Sequence, residues 1–361
     1  MASFTGVPYI PHLLAANPKQ FLFLSLSETR NTSPSTIQTL VPTLAQRYGD
    51  LTPSQQAGYV AGQTVIGNVY DPTVAGHPVY GNNGCYSQLA TVDPSPTACI
   101  TGTELNAAAL ALMSYYPLPN VAATQTQYNY QASFPGTSHS SQVSARFNRS
   151  FGAAPARGGR GGGFGGGFGG GRGNRNANAP KVLRQSIAEN FAYSHSASAN
   201  ANFSPQLGGK SESDGYSFGS SYTVGYGRIN STASLGWSRS RSTGSNYFTN
   251  AAANPAVSQL GIDVGTPAIY SNPFYFGVPS VSISGGLQGL NDTTPSNSVN
   301  QTISFSDFVS WVHKKHNMRY GLDFHRIHAD SIGGTNVLGS FTFSGFSTEN
   351  PACLLYTSRC V

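Results

Sequence analysis

The chain has 361 residues, a net charge of +6 and only 9% charged side chains, against about a quarter in ordinary soluble domains. No apolar run reaches the roughly 18–20 residues that a membrane-spanning helix needs. Composition therefore speaks against both a set of soluble domains and a helical membrane protein. The excess charge is local: Arg146, Arg149, Arg157, Arg160, Arg172, Arg175, Lys181 and Arg184 all fall between Glu104 and Glu189, a stretch without a carboxylate.

The N-terminus lacks the basic region and apolar core of a signal peptide, and Met1 is read as an internal methionine of a truncated reading frame. Residues 1–30 hold one strand, whose core is Phe21-Leu-Phe-Leu-Ser-Leu26. Residues 31–138 are rich in Pro, Gly, Asn and Thr and read as one long loop. Inside it a helix is predicted over 103–115, capped by Thr103-Glu104 and ended by Pro117-Leu-Pro119, with Leu105, Ala109 and Leu112 as a packing stripe. Cys85 and Cys99 lie in this loop. Outside the cytosol such a pair forms a disulfide, whereas zinc would need more ligands at closer spacing.

Residues 139–351 carry the main strand pattern. A strand is predicted over 142–150, where Val143, Ala145 and Phe147 alternate with Ser144, Arg146 and Asn148. A Gly/Arg-rich loop follows over 152–180, too poor in side chains to build a core. Strand pattern resumes over 186–204. The clearest signal then runs from Tyr216 to Ser240. Tyr216, Phe218, Tyr222, Val224 and Tyr226 share one parity, against Ser217, Gly219, Ser221, Thr223 and Gly225. Beyond Gly227-Arg228, Ile229, Ala233, Leu235 and Trp237 alternate with Asn230, Thr232, Ser234, Gly236 and Ser238. Period-2 alternation predicts a hairpin with one apolar and one polar face. A second long loop spans 247–300. Another hairpin is predicted from 302–313 and 318–330 about a turn at Lys314–Asn317, and 340–347 is a last strand fragment.

A polar face of Ser, Gly, Thr and Asn opposite an aromatic face suits a transmembrane β-barrel, the one sheet that leaves no backbone group unpaired in lipid. The expected fold is all-β: antiparallel barrel strands with long loops and one short helix. Barrels join strands by short periplasmic turns and long extracellular loops. The turns at Gly227 and Lys314 thus assign loops 31–138 and 247–300 to the outside and the Gly-rich loop to the periplasmic side. Tyr226, Trp237, Trp311 and Tyr320 are the expected membrane-interface anchors, with Tyr226 on the inner and Trp237 on the outer side. One residue breaks the pattern. Asp307 falls on the parity of Ile303, Phe305, Val309 and Trp311, which predicts a bulge or an interface position there.

Other chemistries are weaker. Arg157-Gly-Gly and Arg160-Gly-Gly with Phe164 and Phe168 resemble a nucleic-acid-binding RGG segment. Two triplets flanked by strand pattern read better as a solvated loop, and no nucleic acid is expected as a partner. His313, His316, His325 and His328 do not form a metal site on this reading. Residues three apart on a strand point to opposite faces, and His313 and His325 fall roughly 23 Å apart. No nucleophile elbow is present, so no catalytic residue, metal or cofactor is expected. A non-transporting surface adhesin or a soluble β-sandwich is the competing class.

The order of several segments resembles the Oar-like family of TonB-dependent outer-membrane receptors, of acidobacterial type. The matching stretches are Lys19-Gln-Phe-Leu-Phe-Leu-Ser-Leu-Ser-Glu-Thr-Arg-Asn31, Val41-Pro-Thr-Leu-Ala-Gln-Arg-Tyr-Gly-Asp-Leu-Thr52 and Tyr70-Asp-Pro. They continue with Ala107-Ala-Ala-Leu-Ala-Leu-Met-Ser-Tyr-Tyr-Pro-Leu-Pro-Asn120, Trp311-Val-His-Lys-Lys-His-Asn-Met-Arg-Tyr-Gly-Leu-Asp-Phe324 and Gly339-Ser-Phe-Thr-Phe-Ser-Gly345. The resemblance implies a 22-strand barrel, of which this chain would hold roughly 7–8 strands. It also implies a carboxypeptidase-regulatory-like domain and a plug preceding the barrel, TonB as energising partner, outer-membrane lipid around it and an unidentified ligand. Contacts to that ligand would come from loops 31–138 and 242–300. The final residues, 352–361, read as a sequencing-adapter artefact, so Cys353 and Cys360 carry no expected role.

Overall fold

The structure is a computed structural model and describes residues 1–9, 17–50, 99, 105–121, 128–152, 181–261, 267–283 and 287–343. Its main body is one antiparallel sheet. The strands are β1 (Ala2–Gly6), β2 (Gln20–Thr39), β3 (Tyr130–Gly152), β4 (Leu183–Asn200), β5 (Gly209–Tyr226), β6 (Ile229–Asn246), β8 (Ser296–His313) and β9 (His316–Gly333). They pair in chain order, β1-β2-β3-β4-β5-β6-β8-β9. Among the described residues β1 and β9 do not pair with each other, so the sheet is open, as part of a barrel wall would be.

One parity runs unbroken across this sheet. Phe147, Glu189, Ser220, Leu235, Phe305 and Phe324 form one cross-strand row. Leu24, Phe191, Tyr216, Phe218, Tyr222, Leu235, Phe305, Leu322 and Phe324 are all exposed, and all lie on this face. Large apolar side chains left uncovered in such number mark a surface whose solvent is not water. The opposite face carries Ser217, Gly219, Thr223, Asn230, Ser234 and Gly236. There the missing Cβ at Gly321 makes room for the Phe308 ring, over which the Arg319 guanidinium lies at 4.4 Å. An aromatic ring laid over a strand glycine covers backbone that would otherwise be bare.

The strands are longer than their apolar pattern. β2 continues to Thr39 and β3 starts at Tyr130, so the long loop is 40–129 rather than 31–138. The added residues pair β2 with β3 through Pro34↔Pro135. Neither proline is placed where its missing N–H matters: β1 reaches only Leu26 of β2, and β4 leaves β3 at Ser138. Polar extensions of this kind have no alternation to read. β1 was likewise not foreseen.

Four further expectations change. The helix is Ala107–Met113, capped by the Asn106 side chain, which accepts from Ala108 N at 2.8 Å and Ala109 N at 3.3 Å; Thr103 and Glu104 lie outside the described residues. Leu112 is its buried residue and Ala109 is exposed, so the expected stripe is not the packing face. The last hairpin turns on Lys314-Lys315 alone, with His313 opposite His316. Lys314 takes φ 50, as Gly227 takes φ 56 in the other tight turn. The backbone thus closes in two residues where four were expected. A register change of two residues keeps the side chains of 302–313 and 318–330 on their expected faces. Finally, β10 (Ser340–Phe343) is not a wall strand. It pairs in parallel with β7 (Ser280–Ile283) in a separate two-stranded sheet. The strand predicted over 186–204 is observed as Leu183–Asn200, which leaves Phe203 free to enter the core described below.

Candidate functional site

Two regions organise the molecule: the belt on the apolar face and a cap at the loop end of the sheet. At the turn end, Tyr226 pairs with Ile229, Ile229 with Trp311, and Trp311 with Met318, forming one row. Tyr320 stands one step higher, opposite Val309. Trp237 pairs with Phe218 and Ile303. It is eight residues beyond Ile229, about 26 Å along the strand at ~3.3 Å per residue. At a strand tilt of about 40° this is a rise of about 20 Å, close to the ~25 Å apolar band of an outer-membrane barrel. The four aromatic residues singled out in the sequence thus stand at two levels of the wall, Tyr226, Trp311 and Tyr320 near the turns and Trp237 toward the loop end.

Within the band the polar interruptions come as pairs. Asp307 Oδ1 accepts from Ser231 Oγ at 3.1 Å, and Glu189 Oε1 accepts from Ser220 Oγ at 2.8 Å. The pairing of β8 with β6 and β9 passes through Asp307 without a bulge, four residues above Trp311 and inside the band. The bulge expected at Asp307 is therefore not formed. A carboxylate on this face is tolerated because the serine diagonally across the strand donates to it, replacing one bond that water would have made.

The loop end holds the only extensive hydrophobic core among the described residues. Val41, Leu112, Tyr115, Tyr116, Phe203, Leu207, Leu260, Val278 and Leu290 are buried together. They come from both long loops and from the β4–β5 connection. Hydrogen bonds join the same pieces. Tyr116 Oη donates to Gln288 O at 2.6 Å, Tyr115 Oη donates to Gln259 Oε1 at 2.8 Å, and Gln288 N donates to Leu40 O at 2.9 Å. Burial pushes the Tyr116 phenol up to about 12, so it stays a neutral donor. Asn129 clamps Val41 from both sides, accepting from its N and donating to its O at 2.7 Å each. The described parts of the two loops expected to hold ligand contacts therefore pack together.

Asp292 is the ionisable group most constrained by this cap. Its Oδ1 accepts from Thr293 N at 2.8 Å and Gly208 N at 3.3 Å, while Oδ2 is buried without a hydrogen-bond partner. It borders a cavity of about 40 Å³ with Asn246, Gly277 and Leu338. Burial raises its carboxyl to about 6 against the opposing pull of backbone N–H groups, first those of Gly208 and Thr293. No sequence signal pointed to Asp292, because its environment is assembled from segments distant along the chain.

Cys99 is buried against Ala45 and Tyr48 and is disulfide-bonded. Cys85, Cys353 and Cys360 lie outside the described residues, as does the Gly/Arg tract from 153 to 180. Among the described residues no three His, Cys, Asp or Glu side chains gather as a metal site. His313 and His316 are direct cross-strand partners on one face, contrary to the spacing argument. Their separation of three residues spans the turn instead of running along one strand. His325 and His328 do take opposite faces.

No curated protein and no solved structure matches the chain. A family model does, that of the outer membrane beta barrel domain, over residues 16–160 and 181–357. The interruption coincides with the Gly-rich tract, and the match runs past Pro351 into the segment read as adapter-derived. With the apolar wall and a family match over most of its length, the chain belongs to the outer membrane beta barrel domain family and resides in the outer membrane.

Proposed function

We propose that this chain is the first part of the barrel of an Oar-like TonB-dependent receptor, serving ligand uptake across the outer membrane without enzymatic chemistry. The observation that supports it most is the open sheet. Eight strands wound in chain order, with both outer edges unpaired among the described residues, need further strands to close. Strands of 18 residues extend about 59 Å at ~3.3 Å per residue, well beyond what a bilayer requires. The excess projects outward and carries the cap, where an incoming ligand would first be met. Tyr226, Trp237, Trp311 and Tyr320 act as interface anchors, and a bridge between Cys85 and Cys99 ties down the first long loop. A plug inside the polar face and TonB on the periplasmic side are the partners of this reading.

The test is at the gene. The complete reading frame should encode a plug and a TonB box upstream of Met1, and site-specific crosslinking should join that box to TonB. A complete frame without a plug would overturn the transport reading and leave the cap as the binding surface of an adhesin.

A further inference from the structure

We propose that the apolar-side rim of β6, β8 and β9 binds the phosphorylated headgroup of the outer-leaflet glycolipid through Arg239, Arg241 and Arg326. The first argument is height. Arg239 is ten residues above Ile229, about 33 Å along the strand at ~3.3 Å per residue. At a tilt of about 40° this is a rise of about 25 Å, the top of the apolar band. Arg239 stands opposite Tyr216 and Gln301. Arg326 stands opposite Ile303, one step lower, where a long side chain can lift its guanidinium to the interface. Arg241 stands one step higher, opposite Asp214 and Val299. Arg239 and Arg326 flank β8, about 12 Å apart at ~4.8 Å per strand and ~3.3 Å per residue, so their long side chains can close on one phosphate over Ile303 and Gln301.

The second argument is charge. None of the three arginines takes part in an ion pair among the described residues, and Arg241 donates Nε to Asn297 Oδ1 at 3.2 Å. Of the carboxylates on the same rim, Glu212 stands one step above Arg241, opposite Thr243, and the other two are engaged by histidines. Asp214 is held by His195 Nδ1 at 2.7 Å and Asp330 by His328 Nε2 at 2.7 Å. At the far side of the sheet the matching arginine is neutralised, since Arg30 pairs with Glu28 at 2.8 Å. Three exposed guanidinium groups are thus left together at the level of lipid phosphates, on a face whose solvent is lipid. Arginine is suited to such groups because its planar fork binds phosphate oxygens in pairs. The inference needs the loop end to face outward and is independent of transport.

The full-length protein extracted from outer membranes in nonionic detergent is titrated with bisphosphorylated lipid A, with phosphate-free lipid A and with phosphatidylglycerol. The variant combines Arg239→Gln, Arg241→Gln and Arg326→Gln, and Lys314→Gln at the turn end is the control. With each interfacial arginine contributing roughly fivefold, the triple variant should lose roughly a hundredfold in affinity for bisphosphorylated lipid A. The control should bind as wild type, and phosphate-free lipid should bind wild type and variant alike. Undiminished binding by a folded triple variant would overturn the proposal. So would a preference for phosphatidylglycerol, which would mark the inner leaflet, or displacement by millimolar inorganic phosphate, which would mark a site for free anions. If the variant does not fold, wild type alone decides: equal affinity for the lipids with and without phosphate sinks the idea.

Discussion

Replacing Asp292 by asparagine tests whether the cap carries a pH-dependent strain. The carboxyl is raised from 3.8 to about 6 by burial, so the folded cap binds a proton more tightly than the unfolded chain does. A group shifted in this direction is without penalty below about pH 4. It begins to destabilise as pH climbs from there and exerts its full effect above about pH 6. At 1.36 kcal/mol per pKa unit the shift corresponds to about 3 kcal/mol at neutral pH. Asp292→Asn keeps an oxygen to accept from Thr293 and Gly208 and removes the charge. It should therefore protect the cap by up to about 3 kcal/mol near pH 7.5 and match wild type near pH 4. Asp292→Ala, which leaves the Gly208 N–H without its acceptor, should destabilise by about 1–3 kcal/mol near pH 4, and near pH 7.5 removal of the charge should offset most of that loss. Amide hydrogen exchange at Gly208, Thr293 and their neighbours, corrected for the intrinsic pH dependence, reads the effect directly. An unchanged pH slope in Asp292→Asn would refute the reasoning, because some other group would then be titrating.

Other substitutions probe the wall. Gly321→Val places a branched side chain where the Phe308 ring lies, and should lower refolding stability by about 1–3 kcal/mol; Phe308→Ala in the same chain should recover part of it. Ser231→Ala removes the donor to Asp307 and should cost about 1–3 kcal/mol in detergent or lipid refolding. The same change in an Asp307→Leu background should be nearly neutral; equal losses in both backgrounds would disprove the pairing. Peptide mapping without reductant should recover Cys99 joined to Cys85, and recovery of Cys99 joined to Cys353 or Cys360 would exclude that bridge. Trp237→Ala and Trp311→Ala should each alter protection from lipid-soluble quenchers at a different depth. Equal depths would contradict the division of the belt.

The wall was legible from single residues because its solvent imposes a rule on every second position. Tyr216 to Trp237 could be assigned to faces without a partner strand in view, and the two-residue error at Lys314–Asn317 left those faces intact. Residues 31–39 and 130–141 were not legible as strands. Above the membrane both faces meet water, alternation disappears, and only the pairing of β2 with β3 shows that the chain stays extended. Asp307 was misread for a different reason. Parity located it on the lipid face, but its hydroxyl donor, Ser231, lies on a strand separated from it by the whole second loop.

The sequence by itself determined the solvent: a low charge content and a strict two-residue period admit a membrane sheet and little else. The cap was decided by the tertiary structure alone. Val41, Tyr116, Phe203 and Leu290 have no common period, and Asp292 no neighbour in sequence to mark it. They become a core only when the strand ends bring separate loops to one place. Non-local burial of this kind depends on the completed wall, and no short window of residues can carry it.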